Sequence, residues 1–227
     1  MSEKLKQAIL QWDVRSWSTA LRFWERVVQW QKDGRALELG ANQGGLSLWM
    51  ALNGQQVLCS DLEGVEERAS ALHQAYSLRE KIEYANLDAL NIPYENHFDV
   101  IVFKSILGGI GRNDNKQAQE RVFQEIYKAL KPGGILLFAE NIEASPIHRF
   151  FRRRFVRWGR SWRYVRVPDL ERCLVPFSAH AIHTNGFAAT FGRSEKQRRI
   201  LSWLDTLLFN FITPRNWKYI AYGFARK

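Results

Sequence analysis

A chain of 227 residues with 46% hydrophobic residues has room for one α/β domain with a short appendage and can bury a sizeable core, which excludes intrinsic disorder. Two cysteines, Cys59 and Cys173, exclude a disulfide framework; with no secretory pattern at the N-terminus and no apolar run long enough to span a bilayer, a reducing cytoplasmic setting is expected. The net charge of +10 is local, because eight arginines and no acid fall between Arg149 and Arg166, leaving +2 for the rest of the chain.

Residues 3 to 33 read as helical, with Trp17, Leu21, Trp24 and Val28 on one face, and Asp33-Gly34 closes the segment. An alternation of strands and helices follows. Strands are expected at 35–39, 56–60, 82–85, 98–103 and 135–139, with helices at 44–52, 65–80 and 115–130. The near-continuous apolar run of FDVIVF suits a strand buried on both faces. Such spacing gives a parallel sheet wound by right-handed crossovers. Beyond Glu140 the pattern predicts a basic aromatic helix at 146–163, a strand at 179–184, a helix at 194–209 and a last strand at 217–225. The division expected is an N-terminal helical cap, 1–33, on an α/β domain, 34–227, that carries a basic aromatic segment at 146–166.

The first strand runs into Glu38-Leu39-Gly40-Ala41-Asn42-Gln43-Gly44-Gly45, a turn lean enough for its backbone to approach a ligand at a helix N-terminus. Asp61, 21 residues after Gly40, ends the second strand, where a carboxylate can accept from a ribose diol. A nicotinamide fingerprint aligned on Gly40 puts Asn42 where its second glycine belongs and obstructs a pyrophosphate. The spacing of Glu38, Gly40 and Gly44 suits a cofactor with a compact amino-acid end.

ALELGANQGG resembles the first motif of class I S-adenosylmethionine-dependent methyltransferases, and VLCSDLEG resembles the second. ANLDALNIPYENHFDVIVFKSILGG and IYKALKPGGILLFAE are similar to the later motifs, in family order, over about residues 35 to 141. The resemblance implies a Rossmann-like, seven-stranded, mostly parallel sheet with an antiparallel last strand and helices on both faces. It implies S-adenosylmethionine as cofactor, its methionine end lined by Glu38, Gly40, Ala41, Asn42 and Gly44. Asp61 would hold the ribose, Leu62 would pack on adenine, Asp88 would accept from the adenine amino group with Ala89 beside it, and Lys104 would lie near the methyl donor. It also implies that the N-terminal helix, with Trp12, Trp17 and Trp24, closes over the cofactor or acceptor.

Methyl transfer from a sulfonium needs alignment and exclusion of water, worth up to roughly 7–11 kcal/mol, and for a hydroxyl acceptor a base. His148 is the first choice among His148, His180, His183, Glu140 and Asp114, and no metal site is expected, because no cluster has ligand spacing. The loop after the fourth strand has neither the N/D-P-P-Y/F tetrad nor the cysteine of base-methylating enzymes. Phe151, Phe155, Trp158 and Trp162 form a helical stripe among arginines. Such a stripe covers a sheet, meets an anionic membrane surface, or lines a nucleic-acid groove. The tail NWKYIAYGFARK resembles the final strand of methyltransferases acting on small molecules and bacterial surface glycans. The leading expectation is O-methylation of a sugar or lipid-linked glycan at the cytoplasmic face of a membrane. The alternatives are an RNA methyltransferase and a non-catalytic S-adenosylmethionine-binding module.

Overall fold

In the computed structural model, which describes residues 1–227, seven strands form one sheet in the order β3-β2-β1-β4-β5-β7-β6. The strands are β1 (Arg35–Leu39), β2 (Gln56–Asp61), β3 (Ile82–Asn86), β4 (Phe98–Lys104), β5 (Leu130–Asn141), β6 (Ala179–Asn185) and β7 (Ile220–Arg226). Neighbours from β3 to β5 pair in parallel, and β7 runs antiparallel to both β5 and β6. This is the Rossmann-like arrangement expected from the sequence.

Side chains alternate across the central strands. On one face Ala36, Val100, Val102, Ile135 and Leu137 join the tryptophan-rich cluster of Trp17, Trp24 and Trp49. On the other, Leu37, Leu39, Ile101, Phe103, Leu136 and Phe138 pack with Val122, Ile126, Leu170 and Leu174. The first face is covered by α1 (Glu3–Leu10), α2 (Val14–Val27), α3 (Gly45–Leu52) and α4 (Val65–Ala75). The second is covered by α5 (Leu107–Ile110), α6 (Lys116–Ala129) and, after α7 (Pro146–Phe155), by α8 (Val167–Leu174). α9 (Glu195–Leu204) runs through a π-helical turn, Asp205–Phe209, into the short α10 (Asn210–Ile212).

Three expected helices are shorter than their periodicity, the one at 65–80 ending at Ala75. The segment 3–33 breaks at Gln11 and Asp13, both with positive φ (69° and 46°), because Asp13 is captured from far along the chain. Glu195 accepts from Asp13 N (2.8 Å) and Val14 N (3.4 Å), and Tyr219 donates its hydroxyl to Asp13 Oδ2. The basic aromatic helix stops at Phe155 and not near 163, and the chain turns back at Gly159. There a Cβ would lie 2.0 Å from the Arg152 carbonyl oxygen, so only glycine allows the approach. α8 was not anticipated. No helix is long and apolar enough to cross a membrane.

Candidate active site

The strand order reverses direction between β1 and β4, and the C-terminal ends of such a pair leave a crevice in the sheet. A cavity of about 530 Å³ occupies it. Glu38, Gly40, Ala41, Asn42, Lys104, Ser105 and Asn141 form its strand side, and Trp12, Arg152, Trp158, Trp162 and Tyr164 face them.

The turn after β1 is bent by three left-handed residues, Gly40 (φ 66°), Asn42 (φ 50°) and Gly44 (φ 70°). A Cβ on Gly44 would strike the His73 ring at 2.5 Å, and one on Gly40 would strike Ile106 at 2.4 Å, so these glycines serve packing as well as access. Glu38 turns its carboxylate into the start of α3, where it accepts from Leu46 N (3.3 Å), Ser47 N (2.6 Å) and Ser47 Oγ (2.6 Å). Burial raises its pKa to about 7 despite these donors. Glu140, at the end of β5, likewise accepts from Leu107 N (2.8 Å) and Asn141 N (2.9 Å), and burial pushes it up to about 7.

Lys104 is half-buried near both carboxylates. Its Nζ lies 4.5 Å from the Trp12 ring centre and 5.2 Å from that of Trp17, within cation–π range. Burial draws its pKa down to about 8, opposed by the charges of Glu38, Glu140 and Asp13. The next residue, Ser105, is left-handed (φ 62°), and its hydroxyl accepts from Asn141 Nδ2 at 2.7 Å. Backbone strain of this kind gathers at functional sites.

Asp61 sits beside the cavity at the end of β2. Its Oδ2 accepts from Asn42 N (2.9 Å) and from Arg68 Nη2 (3.0 Å), and its Oδ1 from Leu62 N (2.8 Å). Glu38, Gly40, Ala41, Asn42 and Lys104 are thus gathered at one cavity, with Asp61 joined to it through Asn42. Gly44, Leu62, Asp88 and Ala89 do not line it. Leu62 is 64% exposed, Ala89 is buried, and Asp88 uses Oδ1 to accept from Leu90 N at 2.9 Å in a local turn.

The expectation for His148 is corrected. It is buried away from the cavity, its Nε2–H donates to the Phe187 carbonyl (2.8 Å), and its Nδ1 therefore accepts from the Ser145 hydroxyl (2.7 Å). Burial lowers its pKa to about 4, and with both ring nitrogens engaged it is a packing residue, not a base. Trp24 also lies elsewhere, donating Nε1–H to the Gly223 carbonyl at 3.0 Å. Asp114 pairs with Arg163, and His183 stacks on Tyr222 in β7. The lining residues Ser105, Asn141 and Tyr164 were not singled out from the sequence; Asn141, as the last residue of β5, carried a positional signal.

Residues 37–138 match the family described as methyltransferase domain. An uncharacterized protein of Haemophilus influenzae is 28% identical over 113 residues, 47% of this chain and 42% of that protein. The sarcosine/dimethylglycine N-methyltransferase of Aphanothece halophytica is 27% identical over 130 residues, 56% of this chain and 45% of the enzyme. The chain thus aligns with less than half the length of these curated relatives. In fold it resembles phosphoethanolamine N-methyltransferase 2 of Haemonchus contortus in complex with S-adenosyl-L-methionine, with a TM-score of 0.65 at 19% identity over 93% of this chain and 52% of the other.

Proposed function

We propose, from the premise that residues 37–138 are a class I methyltransferase domain, that this chain transfers a methyl group from S-adenosylmethionine to a small-molecule acceptor. The single observation that carries the reading is the cavity at the C-terminal ends of β1 and β4. It is bounded by the left-handed Gly40 turn and the half-buried Lys104.

The residues present fit the cofactor. No side chain projects from Gly40 into the turn, Ala41 and Asn42 line the cavity beside it, and Asp61 Oδ1 accepts only one donor and retains a lone pair for a ribose hydroxyl. Gly40, Ala41, Asn42 and Glu38 would surround the methionine end, Asp61 the ribose, and Leu62, Asp88 and Ala89 the adenine. S-adenosylmethionine supplies there a methyl carbon bonded to a sulfonium, already activated for in-line displacement. Trp12, Trp158 and Trp162 line the cavity and would limit the access of water to a bound acceptor. Lys104, drawn down to about 8, accepts the acceptor's proton at Nζ in its neutral form, whose share grows as pH rises toward 8.

The acceptor atom in this reading is the hydroxyl of a sugar or lipid-linked glycan, held at a membrane face. Exposed aromatics on α7 among arginines support it. Likeness to the sarcosine/dimethylglycine enzyme favours a second reading, in which the acceptor is an amine. Labelled S-adenosylmethionine distinguishes them by product, an ether or a methylated amine. Calorimetry with S-adenosylmethionine tests the common step. Wild type should bind and Asp61→Ala should lose roughly tenfold or more in affinity, as for loss of a charge-assisted hydrogen bond; no binding by wild type would remove the reading.

A further inference from the structure

A second cavity, of about 660 Å³, opens beside the first, between α7, the turn that follows it and residues 113–114. Arg149, Arg152, Arg153, Arg160, Arg163 and Arg166 line it, against only two carboxylates, Asp114 and Glu143. Half of these cations are already neutralised. Arg163 pairs with Asp114 (3.0 Å) and with the buried Asp169 (3.2 Å), Arg166 with Asp169 (3.2 Å), and Arg149 with Glu143 (2.8 Å). Arg152, Arg153 and Arg160 enter no ion pair.

Arg152 is the informative one. It is 8% exposed, lies 4.1 Å from the Tyr164 ring centre, and donates Nη1 to the carbonyls of Ile142 (2.5 Å) and Glu143 (3.3 Å). Its Nε and Nη2 meet no protein acceptor. A buried guanidinium without a counter-ion is costly to hold, and such a cost is expected where an anionic ligand completes the pair. Arg152, Trp162 and Tyr164 also line the cavity above Gly40, so the two cavities share a wall.

We propose that the arginine cavity binds a phosphate carried by the acceptor, which places the nucleophile of the same molecule past Trp162 and Tyr164, on the Lys104 side. A phosphate dianion presents several strong acceptors to guanidinium forks and matches a site with several unpaired cations better than a single carboxylate does. The acceptor role rests on the methyl-transfer reading above; the anion site does not. The phosphate belongs either to a soluble monoester or to a monoester lipid headgroup such as that of phosphatidate, and the chemistry of recognition is the same.

The test uses inorganic phosphate as probe on the full chain, by calorimetry. Wild type should bind it in the millimolar range or tighter, and Arg153→Ala combined with Arg160→Ala should weaken it about tenfold or more. Both arginines are exposed and unpaired, so the double variant keeps the fold, and its affinity for S-adenosylmethionine should equal that of wild type. Arg152→Gln should weaken phosphate further if it folds. Absence of phosphate binding at about 10 mM, or equal affinity in wild type and double variant, with S-adenosylmethionine still bound, overturns the anion site. Phosphate binding without S-adenosylmethionine binding overturns the acceptor role and the methyl-transfer reading, and leaves the anion site standing. Vesicles of phosphatidylcholine with phosphatidate identify the source: sedimentation that inorganic phosphate weakens in wild type but not in the Arg153→Ala, Arg160→Ala variant assigns a lipid headgroup, and sedimentation unaffected by phosphate, or none, assigns a soluble ester.

Discussion

A carboxylate oxygen accommodates two donors in its plane, and Asp61 Oδ2 already has two, Asn42 N and Arg68 Nη2. Arg68 must therefore leave, or share, before that oxygen can accept from a ribose hydroxyl. The pair is partly exposed and worth little to stability. Arg68→Ala is expected to tighten S-adenosylmethionine binding by roughly threefold, within the modest energy of an exposed pair; weaker binding on titration would show that Arg68 holds the ligand instead of competing for Asp61. His148 gives a second test. Its folded pKa of about 4 lies below the unfolded 6.5, so its contribution to stability is complete above 6.5 and is lost as pH falls through about 4. Urea unfolding should therefore find the advantage of wild type over His148→Gln smaller by about 2 kcal/mol at about pH 5 than at about pH 7. A pH-independent difference would count against the buried neutral imidazole. Residues fixed by the backbone of the β1 turn, such as Gly40 and Asn42, were readable in the sequence because turn chemistry is local. The fate of His148 was not, since its partner Phe187 is 39 residues away.

At the scale of elements, the strands of the central sheet were legible because each is a short apolar run closed by a turn signal, and the structure places β1, β2, β4 and β5 within a residue or two of expectation at their C-terminal ends. The breaks in the N-terminal segment and in the basic aromatic segment share one cause. Helical periodicity continues across Gln11–Asp13 and across Val156–Trp162, but the breaks are made by distant partners, Glu195 and Tyr219 in one case and close backbone contact in the other. Beyond Phe155 the two tryptophans of the stripe leave the helix. Trp162 lies against Gly108 and Gly109 of α5, and Trp158 packs on it at 5.4 Å between ring centres. Gly159→Ala therefore tests an element and not only a residue. Its Cβ would meet the backbone of α7, which cannot yield as a side-chain tip would, so the turn must open at a cost of about 1–3 kcal/mol. The expected result is a lower Tm with loss of the near-ultraviolet signal from the two tryptophans; an unchanged melting point would mean that the turn is not held by this contact.

Across the whole molecule, the basic segment reads differently in three dimensions than along the chain. Three of its eight arginines are withdrawn from the surface row: Arg163 and Arg166, together with Arg172, converge on Asp169, and Arg152 is turned inward. Beside the exposed Arg149, Arg153, Arg154, Arg157 and Arg160 lies an apolar surface. Phe150 and Phe155 on α7 are 64% and 65% exposed, and Trp203, Leu207, Leu208 and Phe211 are exposed along 203–211. The two segments meet at the turn Ala189–Phe191, where Phe151 contacts Phe191 at 5.4 Å and α9 packs. An apolar surface of this extent beside arginines fits an interfacial contact with anionic lipid, in which the rings enter the headgroup layer and the cations stay with the phosphates. The two contributions separate by salt. Wild type is expected to co-sediment with phosphatidylglycerol-containing vesicles at low ionic strength, and binding should weaken but persist in part as salt screens the arginines. Phe150→Ser with Phe155→Ser should lose the salt-resistant part while retaining the fold, because neither ring is buried. Binding by the double variant equal to wild type at every salt concentration would assign the contact to charge alone, and no sedimentation of wild type would leave these faces to another partner.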